Sequence, residues 1–144
     1  MIFLDTNLLI YAHRSATPEH SAARSAIERA SESPRGCGIA LPSIAEFFSM
    51  VTHRAALGEP SSPVDAATFL EGLEEGGVVV VSPGPAFARR LFRIASELRV
   101  VGPRIFDLQI ALCALDGGAT EIWTHDHNFV PVPGLIVFDP LVTT

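Results

Sequence analysis

Four acidic residues of this sequence stand in apolar company. Asp5 follows the run Ile2–Leu4 in MIFLDTN, Glu46 lies in SIAEFFSMVTHRA, Asp107 in RIFDLQIALCAL and Asp126 in THDHNF. An unpaired carboxylate in such surroundings costs several kcal/mol or takes up a proton, so each needs a partner or a task. Singly, each has a plain structural reading. Asp5 suits an N-cap ahead of LLIYAHR, Asp126 suits a turn, Asp107 suits the first turn of a helix entered through Gly102-Pro103, and Glu46 suits a solvated helix face. Jointly they say more. A set of carboxylates without cysteine or histidine at matching spacing fits a hard divalent cation, Mg²⁺ or Mn²⁺, which takes oxygen ligands and keeps several waters.

Helical spacing places two of these acids. Ile44, Phe47, Phe48, Val51 and Ala55 form one stripe, and Glu46 points to the other side with Ser49, Met50 and His53. The segment around Asp107 is apolar nearly all round, and its i+4 and i+7 neighbours are Ala111 and Ala114, so the acid overlooks a hollow that calls for a nearby cation. His125 and His127 flank Asp126, but histidines two apart share a side only if the strand persists through them. With no cysteine motif alongside, the sequence points away from zinc. His13, His20 and His53 have no partners in sequence and read as surface histidines.

The elements that must carry these residues are marked by turn-forming clusters: SESPRG, GEPSSP, SPGP, GP and PVPG. Between them lie short apolar runs of buried-strand length, Ile2–Leu4, Cys37–Leu41, Val78–Val81, Glu121–Thr124 and Leu135–Phe138. Longer segments of helical composition separate the runs: Pro18–Ser31, Ser43–Ala56, Pro63–Glu75, Pro85–Arg99 and Arg104–Leu115. This alternation predicts a three-layer α/β/α sandwich around a mostly parallel sheet, built as one domain over residues 1–144. Ligands of such sheets bind beyond the carboxyl ends of the strands, and two predicted strands run directly into Asp5 and the Asp126 turn.

Charge narrows the chemistry. The chain has 16 acidic and 10 basic residues, net −6, and every basic residue is arginine. Without lysine there is no Walker A loop, no pyridoxal Schiff base and no kinase-type phosphate lysine. Four of the six units of excess negative charge belong to the candidate site itself. Cys37 and Cys113 sit in apolar runs and read as buried thiols of a reducing compartment. The N-terminal run lacks a basic region and is interrupted by Asp5 and Asn7, so it reads as neither signal peptide nor membrane span, and the expectation is a cytoplasmic protein.

LDTN at 4–7, the glutamate in PSIAEFFSMV at 42–51, the aspartate in RIFDLQIA at 104–111 and THDHNF at 124–129 resemble the PIN-domain nucleases in number, order and spacing. Within them the chain is most similar to the VapC-type toxin ribonucleases of bacterial toxin–antitoxin modules. The resemblance implies a Mg²⁺- or Mn²⁺-dependent endoribonuclease with Asp5, Glu46, Asp107 and Asp126 as its acidic site. In that reading Asp5 and Asp107 hold one ion and Asp126 completes its shell. Glu46 orients or deprotonates the attacking water, or serves a weaker second ion. Thr6, Asn7 and Thr124 match the polar positions that support the acids. Asn128 stands where related sequences often carry another acid, which weakens a second metal position. The resemblance further implies an RNA substrate cut to 5′-phosphate and 3′-hydroxyl ends, a cognate antitoxin and a homodimer.

Arg89, Arg90, Arg93, Arg99 and Arg104 place half of the ten arginines within sixteen residues. This stretch reads as a rim that positions RNA phosphates, with a solvated helix face or an antitoxin contact as the alternatives. Phe47, Phe48, Met50 and Trp123 are open to either core or interface. Two other readings are weighed. A haloacid-dehalogenase-like phosphatase also places an aspartate after its first strand, but needs a second aspartate where Asn7 stands and usually a lysine. A non-catalytic PIN-like RNA- or metal-binding module would leave the crowding of four acids without a reason.

Overall fold

The computed structural model describes residues 1–54 and 58–143. Five strands form one sheet, β1 (Ile2–Leu4), β2 (Cys37–Ala40), β3 (Val79–Val81), β4 (Glu121–Trp123) and β5 (Ile136–Phe138), in the spatial order β3-β2-β1-β4-β5. All the neighbouring pairs are parallel, where the sequence predicted a mostly parallel sheet. Six helices are present among the described residues: α1 (Thr6–His13), α2 (His20–Ser31), α3 (Leu41–Thr52), α4 (Pro63–Glu75), α5 (Phe87–Glu97) and α6 (Arg104–Asp116).

Alternation along the central strand separates two cores. Ile2 and Leu4 face a cluster that includes Leu8, Leu9, Ala23, Ile27, Phe47 and Ala66, contributed by α1 to α4. Phe3 faces the opposite cluster, with Leu108, Ala111 and Leu112 of α6 and Ile122 of β4. Helices thus cover both faces, giving the three-layer arrangement. Phe3 fixes the second layer closely. A Cβ on Gly38 or on Gly117 would come within 2.8 Å of its ring, so both positions must lack a side chain.

Several boundaries differ from the sequence expectation for physical reasons. A helix outside the five long segments, α1, follows β1 directly, as the N-cap reading of Asp5 allows: Asp5 takes an extended conformation (φ −78°, ψ 158°) and accepts the Thr6 N–H. The second strand stops at Ala40, and α3 begins at Leu41 with Pro42 in its first turn, where a missing N–H costs nothing. The predicted end of that helix at Ala55 and Ala56 lies outside the described residues. Ser62 caps α4 by accepting the Asp65 N–H at 3.1 Å. The segment Pro85–Arg99 is helical only from Phe87 to Glu97, because Ala86 (φ 55°) and Arg99 (φ 53°) adopt the left-handed conformation at its two ends.

The runs expected to be buried as β3 and β5 are edge strands, and Val79, Ile136, Val137 and Phe138 are exposed. Burial falls instead on the residues that precede them, Val78 and Leu135. Phe47 and Trp123 belong to the core, which removes them as interface candidates, whereas Met50 is exposed. His13 is not a surface histidine. Its Nε2 lies 2.8 Å from Ser61 Oγ, and its ring packs edge-on against Phe47 and Phe69. Cys37 and Cys113 are buried free thiols, and burial pushes Cys37 up to about 12. No helix among the described residues is long and apolar enough to cross a membrane.

Candidate active site at the carboxyl ends of the central strands

The sheet order sets the location of the site. The chain winds outward from β1 to β2 and β3, then returns to the other side of β1 for β4 and β5, so the winding reverses between β1 and β4. In open parallel sheets, ligands bind beyond the carboxyl ends of the strands at such a point of reversal. Asp5 leaves β1 there, and Thr124 to Asn128 leave β4.

Asp5 is almost fully buried and held by three hydrogen bonds. Its Oδ1 accepts the Thr6 N–H at 2.8 Å, and its Oδ2 accepts Asn7 Nδ2 at 3.1 Å and the Thr124 hydroxyl at 2.7 Å. The Thr124 oxygen in turn accepts Asn7 Nδ2 at 2.9 Å and the Asp126 N–H at 3.0 Å. Asn7 Oδ1 accepts the His125 N–H at 3.2 Å, which completes a brace between α1 and the turn after β4. Asp126 Oδ1 accepts the Asn128 N–H at 2.8 Å, so Asn128 enters through its backbone. Thr6 likewise supports Asp5 through its backbone, and its buried hydroxyl has no hydrogen-bond partner among the described residues.

Glu46 of α3 and Asp107 of α6 approach the same crevice, and the four acids feel one another. Burial pushes the Asp5 carboxyl up to about 7 against the hydrogen bonds from Thr124 and Thr6, and Asp107 and Glu46 push further in the same direction. Asp107 is raised to about 6, first by burial and then by Asp126 and Glu46. Arg104, one helical turn before Asp107, opposes that rise and is the cation the Asp107 hollow calls for. All four side chains are carboxylates, and burial first, with their mutual repulsion adding to it, raises Asp5 and Asp107 above the ordinary carboxylate range. This donor set fits a hard divalent cation, whose charge would offset the repulsion.

The arginines are used unequally. Arg104 Nη2 lies 3.4 Å from the Asn128 carbonyl oxygen, at the acid cluster. Arg90 is engaged within the fold, with Nη2 2.5 Å from Asp116 Oδ1 and 3.2 Å from the Leu112 carbonyl oxygen, and its guanidinium over the Phe87 ring. Arg93 pairs with Glu97 at 3.9 Å, while Arg89 and Arg99 are exposed. Sequence reasoning missed Phe106 and Gln109. With Pro42, Glu46, Ser49 and Met50 they line a groove of about 330 Å³ between α3 and α6. Phe106 is 54% exposed although it directly precedes a site acid, and its apolar neighbours in sequence had concealed that.

Residues 2–135 match the family model of the PIN domain. The chain is 31% identical over 130 residues to the VapC ribonuclease Mb2897 of Mycobacterium bovis, a match that covers 90% of this chain and 88% of that protein. The fold resembles that of VapC20 of Mycobacterium tuberculosis, a sarcin–ricin loop cleaving toxin, with a TM-score of 0.68 at 12% identity over 90% of this chain and 92% of that one. It also resembles VapBC2 of Rickettsia felis, solved bound to a DNA fragment from its promoter, with a TM-score of 0.68 at 18% identity over 96% of this chain and 98% of that one.

Proposed function

Because this chain belongs to the PIN-domain family, we propose that it is the endoribonuclease toxin of a toxin–antitoxin pair, with Asp5, Glu46, Asp107 and Asp126 as its catalytic acids. The observation that carries this reading is the convergence of acids from β1, α3, α6 and the turn after β4 on one crevice, where Asp5 and Asp107 are both raised by burial and mutual repulsion. Asp5, Asp107 and Asp126 would hold the divalent ion, Mg²⁺ or Mn²⁺. Such an ion supplies Lewis-acid polarisation and activation of water for attack on phosphorus.

The protein's own residues supply the rest. Thr124, Asn7 and the Thr6 N–H hold the Asp5 carboxylate in one orientation, so little reorganisation is required during reaction. Glu46, whose charge acts on both Asp5 and Asp107, would orient the attacking water or accept its proton. Arg104 brings positive charge to an otherwise acidic cleft and engages a substrate phosphate. Arg89, Arg93 and Arg99 extend the rim outward, while Arg90 serves the fold through Asp116. Exposed Phe106 and Met50 flank Glu46 and offer an unstacked base a surface to lie on.

The chain acts in this reading as a single nuclease domain of the cytoplasm that pairs with a cognate antitoxin and forms a homodimer. Exposed apolar side chains at Phe92 and Val101 support an interface on or beside α5. The decisive experiment incubates purified wild-type protein and Asp107→Asn with total RNA, with and without Mg²⁺ or Mn²⁺. Discrete cleavage that requires metal and is lost in the variant is expected. Cleavage without metal, or equal cleavage by the variant, would overturn the assignment.

A further inference from the structure

The turn that carries Asp126 also brings two histidines and a distant aspartate together. His125, His127 and Asp139 each offer a ligand atom, and these atoms lie within 4.8 Å of one another. The sequence pointed away from zinc because histidines two apart share a side only where a strand persists through them and no cysteine motif stands alongside; β4 does end at Trp123, before both histidines. The turn folds them together instead. With the Asp126 N–H donated to Thr124 Oγ1 and the Phe129 N–H to the Asp126 carbonyl, the two imidazole centroids come to 5.5 Å. Asp139 arrives from beyond β5, which runs alongside β4 in parallel register.

We propose that His125, His127 and Asp139 form a second cation site, for a borderline transition ion of the Zn²⁺ type, separate from the carboxylate site. Two imidazoles and one carboxylate favour such ions, whereas Mg²⁺ prefers oxygen donors alone. The carboxylate is already oriented. Asp139 Oδ1 accepts the Leu141 N–H at 2.9 Å, which leaves Oδ2 facing His125 Nδ1 at 2.8 Å. His125 is steadied by the edge of Tyr11 at 6.2 Å and by its N–H bond to Asn7. Tetrahedral zinc with bonds of about 2.0–2.1 Å sets its ligand atoms about 3.3 Å apart, so the His125–Asp139 pair at 2.8 Å opens slightly and the wider separations, all within 4.8 Å, close by up to about 1.5 Å. The exposed His127 ring has the freedom to make this adjustment. Three protein ligands leave a fourth position to water. An ion here would clamp the turn after β4 to the chain beyond β5, next to the Asn7 brace.

Zinc titration of the full chain by calorimetry, in excess Mg²⁺, tests the proposal, with thermal melting as a second readout. One zinc equivalent and a raised melting temperature are expected for the wild type and for Asp107→Asn. His127→Ala, which alters an exposed ring, is expected to bind zinc at least tenfold more weakly and to lose the thermal shift, as is Asp139→Asn. Wild-type zinc affinity in His127→Ala, loss of the bound equivalent in Asp107→Asn, or no saturable binding at all would overturn it.

Discussion

The Thr124 hydroxyl donates to Asp5 Oδ2 at 2.7 Å, joining residues 119 apart in sequence across the two strands between which the winding of the sheet reverses. The same oxygen accepts the Asp126 N–H at 3.0 Å, so one hydroxyl orients the acid that leaves β1 and the turn that carries the fourth acid. The crevice exists because of the sheet order. Within it, this side chain and the Asn7 brace beside it fix how Asp5 meets the turn after β4.

Thr124→Val keeps the volume and removes the hydroxyl. Loss of about 1–3 kcal/mol of stability is expected from the unpaired polar groups left behind, and a fall of about 10–100-fold in RNA cleavage from the loosened Asp5. Thr124→Ser retains the bonds and should restore most of the activity. Chemical denaturation and a cleavage assay on the two variants check this, and equal activity in Val and Ser variants would remove Thr124 from the site.

Asp107→Asn should stabilise the metal-free protein, and more so at pH 7.5 than at pH 5. In the folded chain Asp107 and Asp5 hold their protons up to about 6 and about 7, while in the unfolded chain they release them near their ordinary value of 3.8. The folded state therefore binds more protons between these limits, and its stability declines as pH rises through that window. Asparagine has no proton to lose. A gain on the order of 1 kcal/mol is expected at the higher pH, after allowing for the partial exposure of residue 107. Melting curves in chelator at both values would detect it, and a pH-independent difference would contradict the raised Asp107.

Cleavage by the wild type should rise with pH as Asp107 and then Asp5 lose their protons, through about 6 and about 7. Protons and the divalent ion compete for the same oxygens, so raising Mg²⁺ should move the profile to lower pH. Rates measured across pH at two Mg²⁺ concentrations test this, and superimposable profiles would count against it.

Arg104 and Arg90 should separate cleanly. Arg104→Ala is expected to weaken RNA binding and to reduce the slope of log affinity against log salt by about 1, as loss of one phosphate contact does. Arg90→Ala should leave that slope unchanged and lower the melting temperature, because its guanidinium is committed to Asp116 and the Leu112 carbonyl. Binding titrations over a salt series distinguish the two, and a flattened slope in Arg90→Ala would return that residue to the rim.

Much of this was legible in the residues. Strand and helix alternation is written in local periodicity and turn chemistry, and all five predicted helices and all five strands appear, within a few residues of those expected ends that fall among the described residues. The α1 helix was legible only through Asp5 as an N-cap ahead of LLIYAHR, because LLIYAH itself is too short and too uniformly apolar to show a helical face. The edge position of β3 and β5 was equally hidden, since a run of valines reads the same at the centre of a sheet and at its margin.

The sequence by itself determined which acids stand at the ends of strands or on apolar helices, because those placements follow from neighbours a few residues away. Only the tertiary structure decided what each acid meets. The sheet order brought Thr124 to Asp5, the packing of α5 on α6 gave Arg90 to Asp116, and the β4–β5 pairing delivered Asp139 to the two histidines. These contacts join segments far apart in the chain. They depend on which strands become neighbours and how helices cover them, a choice made by burial over the whole molecule rather than by any local pattern.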